Sequence, residues 1–272
     1  MKLKIFPFLL LFISVAFSCK KDDEMMIPDM VKVPVIKSVR DAEKPQYEYV
    51  YNYSRLISEE KSKYSYTNYN YNEQNQLVTT DYYINEALLS TDQNILEAAL
   101  NQQGLMSLVS TEKGGTLRYE YNASGRLTKT IAIRPAETTS EYSEYNYDDN
   151  DRIGREILYW DNKILGYIEY EYDERGNLIH EVLFSITSSG LAEINTTTEY
   201  EFDNKQNPYR SVQRILSPGI NTNLNNIVKE IYTIHIKPDD GENIVQVTSF
   251  AYVYSSLGFP VRKNSTVEYI YE

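Results

Sequence analysis

One nine-residue stretch decides the fold, and it reads Tyr170-Glu171-Tyr172-Asp173-Glu174-Arg175-Gly176-Asn177-Leu178. Its two tyrosines alternate with a glutamate, so in a strand both rings lie on one face and the carboxylate lies on the other. Asp173 can accept a hydrogen bond from the backbone two residues on, which starts a turn. Gly176 tolerates the positive φ that a short hairpin loop requires. The stretch therefore predicts a β-hairpin whose return strand begins at Leu178.

Related stretches recur from about residue 47 to residue 272, each with an aromatic or apolar anchor just before the turn. The anchors are Tyr71, Leu100, Tyr121, Tyr147, Tyr172, Phe202, Ile236 and Tyr254. Their average spacing is about 26 residues, which is the length of two strands and two connections. The repeat predicts an all-β protein, an antiparallel meander of about eight hairpins that forms a long curled sheet or half-barrel. A tyrosine-rich face alternates with a charged face, and curling would shelter the tyrosines.

One stretch competes with this pattern. Residues 85–100 carry an apolar run that could form a short helix, and the same run leads into Ala99-Leu100-Asn101-Gln102-Gln103-Gly104-Leu105, a degenerate copy of the repeat. The spacing to the next anchor also fits a divergent hairpin. The sequence leaves both alternatives open.

The first residues have the layout of a secretory signal. Lys2 and Lys4 precede an apolar run that is too short for a spanning helix, and Ser18 stands directly before the single cysteine, Cys19. Ala16-Phe17-Ser18-Cys19 resembles a lipobox, the site at which bacterial lipoprotein precursors are cleaved and lipidated. We therefore expect residues 1–18 to be a lipoprotein signal peptide, with an ordinary signal peptide as the alternative.

The segment after Cys19 is expected to be a tether. Residues 19–46 contain Lys20-Lys21-Asp22-Asp23-Glu24, three prolines and no clean periodicity, which is typical of a flexible linker. The charged stretch resembles the acidic signal that sends lipoproteins of Bacteroides-type bacteria to the outer cell surface. The expected location is the outer membrane through the lipid anchor, exposed at the surface, with a periplasm-facing arrangement as the alternative. The folded domain is expected to span residues 47–272.

The repeat resembles a known family at its clearest copies. Tyr119-Glu120-Tyr121-Asn122-Ala123-Ser124-Gly125-Arg126-Leu127 and the stretch quoted first look like YD repeats of the RHS type, whose pattern is Tyr-x-Tyr-Asp-x-x-Gly-Arg-Leu. Together with the lipoprotein signal, they are similar to repeat lipoproteins of Bacteroides-like bacteria. In larger RHS proteins such repeats wind into a β-sheet shell around a toxin, and YD repeats are also linked to carbohydrate binding. This chain has neither the long repeat array nor the Asp-Pro-x-Gly-Leu self-cleavage sequence, so the resemblance implies the fold and leaves the activity open.

Composition excludes several classes of protein. The chain has 27 Lys+Arg against 39 Asp+Glu and a net charge of -12, which argues against a nucleic-acid binder. One cysteine and two histidines make a disulfide scaffold or a zinc site improbable. Aspartates crowd one turn at 148, 149 and 151, but turn formation and solvation explain them better than a calcium ion does. No metal and no cofactor is expected.

No catalytic constellation is visible in the sequence. His180 and His235 lie in strand-like stretches, and no nucleophile motif or phosphate loop accompanies them. We therefore expect a non-enzymatic protein. Because 26 of its residues are tyrosine, whose rings offer amphipathic contact area at low entropic cost, a cell-surface binding module for a carbohydrate or protein ligand is the first reading.

The candidate ligand-binding residues are the row Tyr121, Tyr147 and Tyr172. The alternative function is a structural or assembly subunit of a cell-envelope complex that pairs through its sheet edges. The same tyrosines could instead form only the core of the repeat. The sequence does not fix the ligand, the partner proteins or the oligomeric state.

Overall fold

A computed structural model of the chain describes a single β-sheet domain. It describes residues 34–85, 87, 93–100, 111–135, 138–211, 218–219, 222–236 and 241–272. The expected signal peptide, Cys19 and the charged stretch after it lie outside these residues and stay predictions. Within the described part of the chain, no helix has the length and apolar character needed to span a membrane.

The sheet contains seventeen strands and the described residues include one α-helix. The strands are β1 (Ile36–Asp41), β2 (Lys44–Tyr51), β3 (Ile57–Ser62), β4 (Ser65–Tyr71), β5 (Leu77–Asn85), β6 (Thr111–Tyr121), β7 (Leu127–Ile133), β8 (Glu141–Tyr147), β9 (Ile153–Trp160), β10 (Lys163–Tyr172), β11 (Leu178–Ile186), β12 (Ala192–Phe202), β13 (Ile227–Ile234), β14 (Ile244–Ser249), β15 (Tyr252–Tyr254), β16 (Pro260–Lys263) and β17 (Val267–Tyr271). Helix α1 is Gln93–Leu100, and a 3-10 turn covers Pro208–Ser211.

Consecutive strands pair antiparallel from β1 to β14 and again from β15 to β17. Strand β17 then pairs with β1, so the curled sheet returns to its own first strand. Strands β14 and β15 follow each other in the chain, separated by Phe250 and Ala251. The predicted all-β antiparallel meander is confirmed.

The repeat hairpins share one turn, built on a side-chain carboxylate or amide. Oδ1 of Asp173 accepts hydrogen bonds from the backbone N–H groups of Arg175 (2.9 Å) and Asn177 (2.8 Å). The same pair of bonds forms at Asn52, Asn72, Asn122 and Asp148. Three residues after each of these side chains the backbone takes a positive φ, for example 92° at Gly176. The turn chemistry expected from the sequence is therefore present.

Two anchors of the predicted repeat are wrong. Leu100 is the last residue of helix α1, and β5 pairs directly with β6, so no hairpin is anchored there. Alanine and leucine are good helix formers, and here that preference prevails over the repeat spacing; residues 101–105 lie outside the described part of the chain. Ile236 follows β13 at the end of the sheet opposite to the repeat turns described above, and its N–H donates to Oδ1 of Asn243 (3.0 Å).

The structure also contains a repeat turn that the sequence prediction missed. Tyr49-Val50-Tyr51 leads into Asn52, and Ile57 opens the return strand. Arg55 occupies the left-handed position with a φ of 58°, where the other clear units have Gly, Asn or Asp. Because arginine is not a residue type typical of this position, the unit was not recognised in the sequence.

The sheet begins earlier than the expected boundary at residue 47. Strand β1 lies inside the segment expected to be a tether, and Ile36 and Val39 are buried in the core. The two residues are three apart, so they show no strict alternation in the sequence. Their strand is fixed by its two neighbours, β2 and β17.

The core lies on one face of the sheet, called here the aromatic face. It carries the apolar residues that open the return strands, namely Ile57, Leu77, Leu127, Ile153 and Leu178. Buried tyrosines from the preceding strands pack with them, namely Tyr49, Tyr69, Tyr119, Tyr145 and Tyr170. Burying an aliphatic side chain of this size contributes roughly 1.5 to 3 kcal/mol, so this repeated pair makes a large contribution to the stability of each hairpin.

The alternation in the sequence suggested a charged face opposite the aromatic face, but that opposite face is not purely charged. It also carries two stacked aromatic pairs across neighbouring strands, Tyr142 with Tyr159 (centroids 4.5 Å apart) and Tyr167 with Phe184 (4.6 Å). Lys129 lies 3.5 Å from the centroid of the Tyr142 ring. The first pair stabilises the pairing of β8 with β9 and the second that of β10 with β11, each by roughly 0.2 to 1 kcal/mol.

Candidate functional site

The three candidate tyrosines belong to a ladder of hydrogen bonds between successive hairpins. The hydroxyl of each donates to the carbonyl oxygen of the residue that opens the previous return strand: Tyr121 to Leu77 (2.7 Å), Tyr147 to Leu127 (2.9 Å) and Tyr172 to Ile153 (2.7 Å). The same kind of bond is made by Tyr51, Tyr71, Tyr252 and Tyr271. Burial raises the pKa of all three candidate hydroxyls. Their hydroxyls are committed to the fold, and their rings are the part that a ligand could contact.

A second tyrosine row lies deeper, two residues before the ladder. The Tyr145 hydroxyl lies 3.0 Å from Oγ1 of Thr130 and 3.3 Å from a carboxylate oxygen of Glu156, and the Tyr170 hydroxyl donates to the other oxygen of Glu156 (3.0 Å). Both rings are buried. This row is part of the core and offers no surface to a ligand.

Carboxylates accompany these tyrosines on the aromatic face. Burial raises the pKa of Glu181, and the nearby negative charges of Glu156 and Glu230 raise it further. Glu181 lies opposite Tyr170 in the β10–β11 ladder. A charged Glu181 is therefore unfavourable in the folded protein.

The variant Glu181→Gln is expected to be more stable than the parent at pH 8 and equally stable at pH 3. The pKa of Glu181 is higher in the folded than in the unfolded chain, so the parent loses stability as the pH rises from the unfolded pKa, about 4.3 for a glutamate, through the folded one. Urea midpoints at the two pH values measure this difference. Glu174→Gln, at an exposed turn position, is the control and should leave the midpoint unchanged at both. A stability gain of the same size at pH 3 would contradict the prediction.

Arginines link neighbouring turns along one rim of the sheet. The Arg152 guanidinium is paired with the Asp148 carboxylate (2.7 Å), lies 4.5 Å from the centroid of the Tyr172 ring and donates to the carbonyl oxygen of Asp173 (3.3 Å). Arg126 is paired with Asp151 (2.5 Å) in the next turn and lies 5.2 Å from the Tyr147 ring centroid. Each guanidinium thus contacts a carboxylate of a turn and the face of a tyrosine ring.

A third arginine continues the same arrangement. Arg175 pairs with Asp173 (3.2 Å) and donates to the carbonyl oxygen of Asp203 (3.0 Å). Partial burial acts to raise the pKa of Asp173, but hydrogen bonds from Asn177 and the charge of Arg175 outweigh it and hold the pKa below its usual value. This carboxylate therefore stays charged and keeps Arg175 in place.

These turns enclose a cleft at the rim, called here the rim cleft. It has a volume of about 230 Å³ and is lined by Tyr147, Asp151, Arg152, Ile153, Tyr172, Gly176, Pro218 and Thr222. A larger, more open depression of about 560 Å³ adjoins it and shares Arg152, Tyr172 and Gly176. The structure therefore brings two of the three candidate residues, Tyr147 and Tyr172, into one cleft, while Tyr121 lines neither space.

The outer wall of the rim cleft comes from the segment between β12 and β13, which the sequence analysis did not connect with the site. Asn177 is fully buried and fastens this segment: its Oδ1 accepts the backbone N–H groups of Leu224 (2.9 Å) and Asn225 (3.0 Å), and its Nδ2 donates to Asp173 and Asn225. Oδ1 of Asn223 accepts the N–H of Leu178 (2.8 Å). The sequence signal that could have indicated this segment is the asparagine-rich run Asn221-Thr222-Asn223-Leu224-Asn225-Asn226.

The other polar residues considered in the sequence lie in ordinary structural positions. His180 lies on the opposite face, 3.8 Å from Glu171, and Nε2 of His235 lies 3.1 Å from Oγ1 of Thr197. Asp148 accepts the backbone N–H groups of its own turn. Among the residues that the structure describes, no group of three His, Cys, Asp or Glu side chains is arranged to hold a metal ion.

A scan of protein-family models found no match to the chain, and a search of curated proteins found none. Among solved structures, the chain is similar to a porin-like protein from Bacteroides vulgatus, with 12% identity, a TM-score of 0.48 and coverage of 88% of this chain and 99% of that one. A porin-like protein from Bacteroides uniformis has 12% identity and a TM-score of 0.37, with coverage of 87% and 96%. The TcdB2-TccC3-Cdc42 structure has 12% identity and a TM-score of 0.18, with coverage of 76% and 13%. At these scores the similarities carry no conclusion about ligand or activity.

Proposed function

We propose that the protein is a non-enzymatic binding module of the cell surface and that the rim cleft binds a sugar ring of a glycan. The single observation that carries the proposal is the convergence of Tyr147, Tyr172 and Asp151 on one cleft beside Thr222. Aromatic rings with a few fixed polar groups are the combination that binds small polar ligands with an apolar surface. The anchoring through Cys19 remains part of the proposal and rests on the sequence.

The size and charge of the rim cleft define the ligand more closely. At about 230 Å³ it is smaller than most sites for drug-sized molecules, roughly 300 to 1,000 Å³, and suits one ring or the end of a chain. The three arginines in the turns around this cleft are each paired with a carboxylate: Arg126 with Asp151, Arg152 with Asp148 and Arg175 with Asp173. These three arginines add no surplus positive charge that would attract an anion, so the expected ligand is a neutral glycan.

The test compares Tyr172→Ala with Tyr71→Ala on an array of neutral and acidic polysaccharides. Both tyrosines make the same ladder bond, to Ile153 and to Ile57, so both truncations should destabilise the sheet comparably. Of these two tyrosines, only Tyr172 lines the rim cleft. We expect saturable binding to a neutral glycan that Tyr172→Ala weakens at least tenfold, about 1.4 kcal/mol, while Tyr71→Ala keeps it.

Asp151→Asn supplies a second variant that keeps the turn intact. Asn tolerates the left-handed φ of 64° at this position, and the change removes one charged acceptor from the cleft. It also removes the ion pair with Arg126, but both side chains of that pair are exposed, so this loss should cost less than about 1 kcal/mol. Weaker binding with an unchanged melting temperature would locate the ligand at the rim. The proposal would be refuted if the parent protein bound no polysaccharide on the array, or if Tyr71→Ala and Tyr172→Ala lost binding equally.

A further inference from the structure

Strand β14 presents an edge that no other described strand covers. Its one ladder is with β13, and this ladder runs without a bulge from Ile244 to Ser249. Phe250 donates its N–H to the carbonyl oxygen of Val228, which fixes the alternation of the backbone groups along β14. The N–H and C=O groups of Val245, Val247 and Ser249 therefore point away from β13. Within the described part of the chain, no backbone hydrogen bond reaches these groups from the other side.

This edge lacks the features that normally prevent pairing. The strand reads Ile-Val-Gln-Val-Thr-Ser, with no charge and no proline, and Val245 and Val247 expose 57% and 58% of their surface. Natural edge strands are usually protected by charges, prolines, bulges or shortness. An uncharged, regular edge with exposed β-branched side chains is suited to receiving another strand.

We propose that a second copy of this chain pairs with β14, antiparallel and about a two-fold axis beside Gln246. In that register Val245 of one copy lies opposite Val247 of the other, and the reverse, so the outward backbone groups form four hydrogen bonds. The same pairing produces two cross-strand valine pairs on one face. Ile244 lies opposite Thr248, and no charged residue faces another.

The occupant follows from the self-complementarity of the edge. The chain carries a net charge of -12, so two copies repel each other overall, whereas β14 is a neutral strip. The strip is apolar on the face where Val245 and Val247 lie, and Ile231, which lies opposite Val247 in the β13–β14 ladder, extends it. Because six residues on each side bury little area, the dimer is expected to be weak and concentration-dependent.

The test is a cysteine placed at the axis in the full chain carrying Cys19→Ser. Gln246→Cys puts two thiols at a non-hydrogen-bonded cross-strand position, where Cβ atoms approach within about 4.5 to 5.5 Å, close enough for a disulfide after small adjustment. Ser249→Cys is the matched control on the same strand, because in this register its two copies lie roughly 20 Å apart. Mild oxidation should give a covalent dimer from the first variant and not from the second.

Sedimentation of the Cys19→Ser chain supplies the independent readout. The dimer fraction should rise with protein concentration and vanish in the variant Val247→Lys. Because the Val247 side chain is exposed in the monomer, the circular dichroism of this variant should match that of the parent. Equal cross-linking of Gln246→Cys and Ser249→Cys, or of neither, would overturn the proposal. A dimer that survives Val247→Lys would place the interface elsewhere and would overturn it as well. Neither outcome depends on whether the rim cleft binds a glycan.

Discussion

Replacing Gly166 by Ala is expected to lower the free energy of unfolding by about 3 kcal/mol, because the new methyl group has no room. A Cβ at this position would overlap the carbonyl oxygen of Phe184 on the neighbouring strand. The obstacle is backbone, so β10 and β11 would have to separate where they form one of the long ladders of the sheet. Urea unfolding followed by circular dichroism measures the loss.

The control for this variant is Gly176→Ala. Gly176 has a φ of 92°, which disfavours alanine, but beyond its two chain neighbours no described residue lies within 4 Å of its added Cβ. We expect it to cost only about 1 kcal/mol, the price of the backbone conformation alone. If the two variants were equally stable, the close approach of β10 and β11 would not be the reason for glycine at 166.

Replacing Asn177 by Ala is expected to cost about 3 kcal/mol and to release the outer wall of the rim cleft. The side chain is fully buried, and its loss leaves the N–H groups of Leu224 and Asn225 without their acceptor, whereas Asp173 keeps its bond to Arg175. Each buried polar group left unpaired costs roughly 1 to 3 kcal/mol, and opening of the segment to water limits the total.

Hydrogen exchange distinguishes this local effect from a general loss of stability. The amides of Leu224 and Asn225 should lose protection first, while those of β10 and β11 keep theirs. Asn204→Ala is the control at an exposed neighbouring position and should change stability by less than about 0.5 kcal/mol. Unchanged protection at Leu224 in Asn177→Ala would show that this network does not hold the segment. Because Pro218 and Thr222 line the cleft, the same variant should also weaken glycan binding.

The fold was predictable because each hairpin is specified by residues close together in the sequence and because this local pattern is repeated along the chain. Tyrosines at alternate positions, an Asn or Asp at the turn and a left-handed residue three further on specify each hairpin by themselves, as around Asp173. The prediction failed where that local signal was altered, with Arg55 in the left-handed position, or imitated, as at Leu100 and Ile236. At Leu100 helix propensity prevailed over the spacing.

Only one side of the rim cleft, the tyrosine row, could be predicted from the sequence. Tyr147 and Tyr172 could be named because the repeat places them in one row, and the structure brings both to the rim cleft. The wall opposite them depends on contacts between residues about 47 positions apart in the chain, such as Asn177 with Leu224. No repeat or spacing in the sequence indicates that pairing. The hydrogen bonds of the tyrosine hydroxyls could not be predicted either, because their acceptors are backbone carbonyls, such as that of Ile153, which every residue type has.

The pairing of β17 with β1 has a consequence for how the protein is made. Val35 and Glu272 exchange backbone hydrogen bonds, so the two ends of the described sheet are neighbours in space. Each local hairpin can form as soon as its own residues emerge, but β1 keeps one edge uncovered until the last strand is available. Contacts of such long sequence separation form late and slowly. During synthesis the protein is therefore a growing sheet whose first strand has one unpaired edge. The sheet is completed in a late step, when β17 pairs with β1.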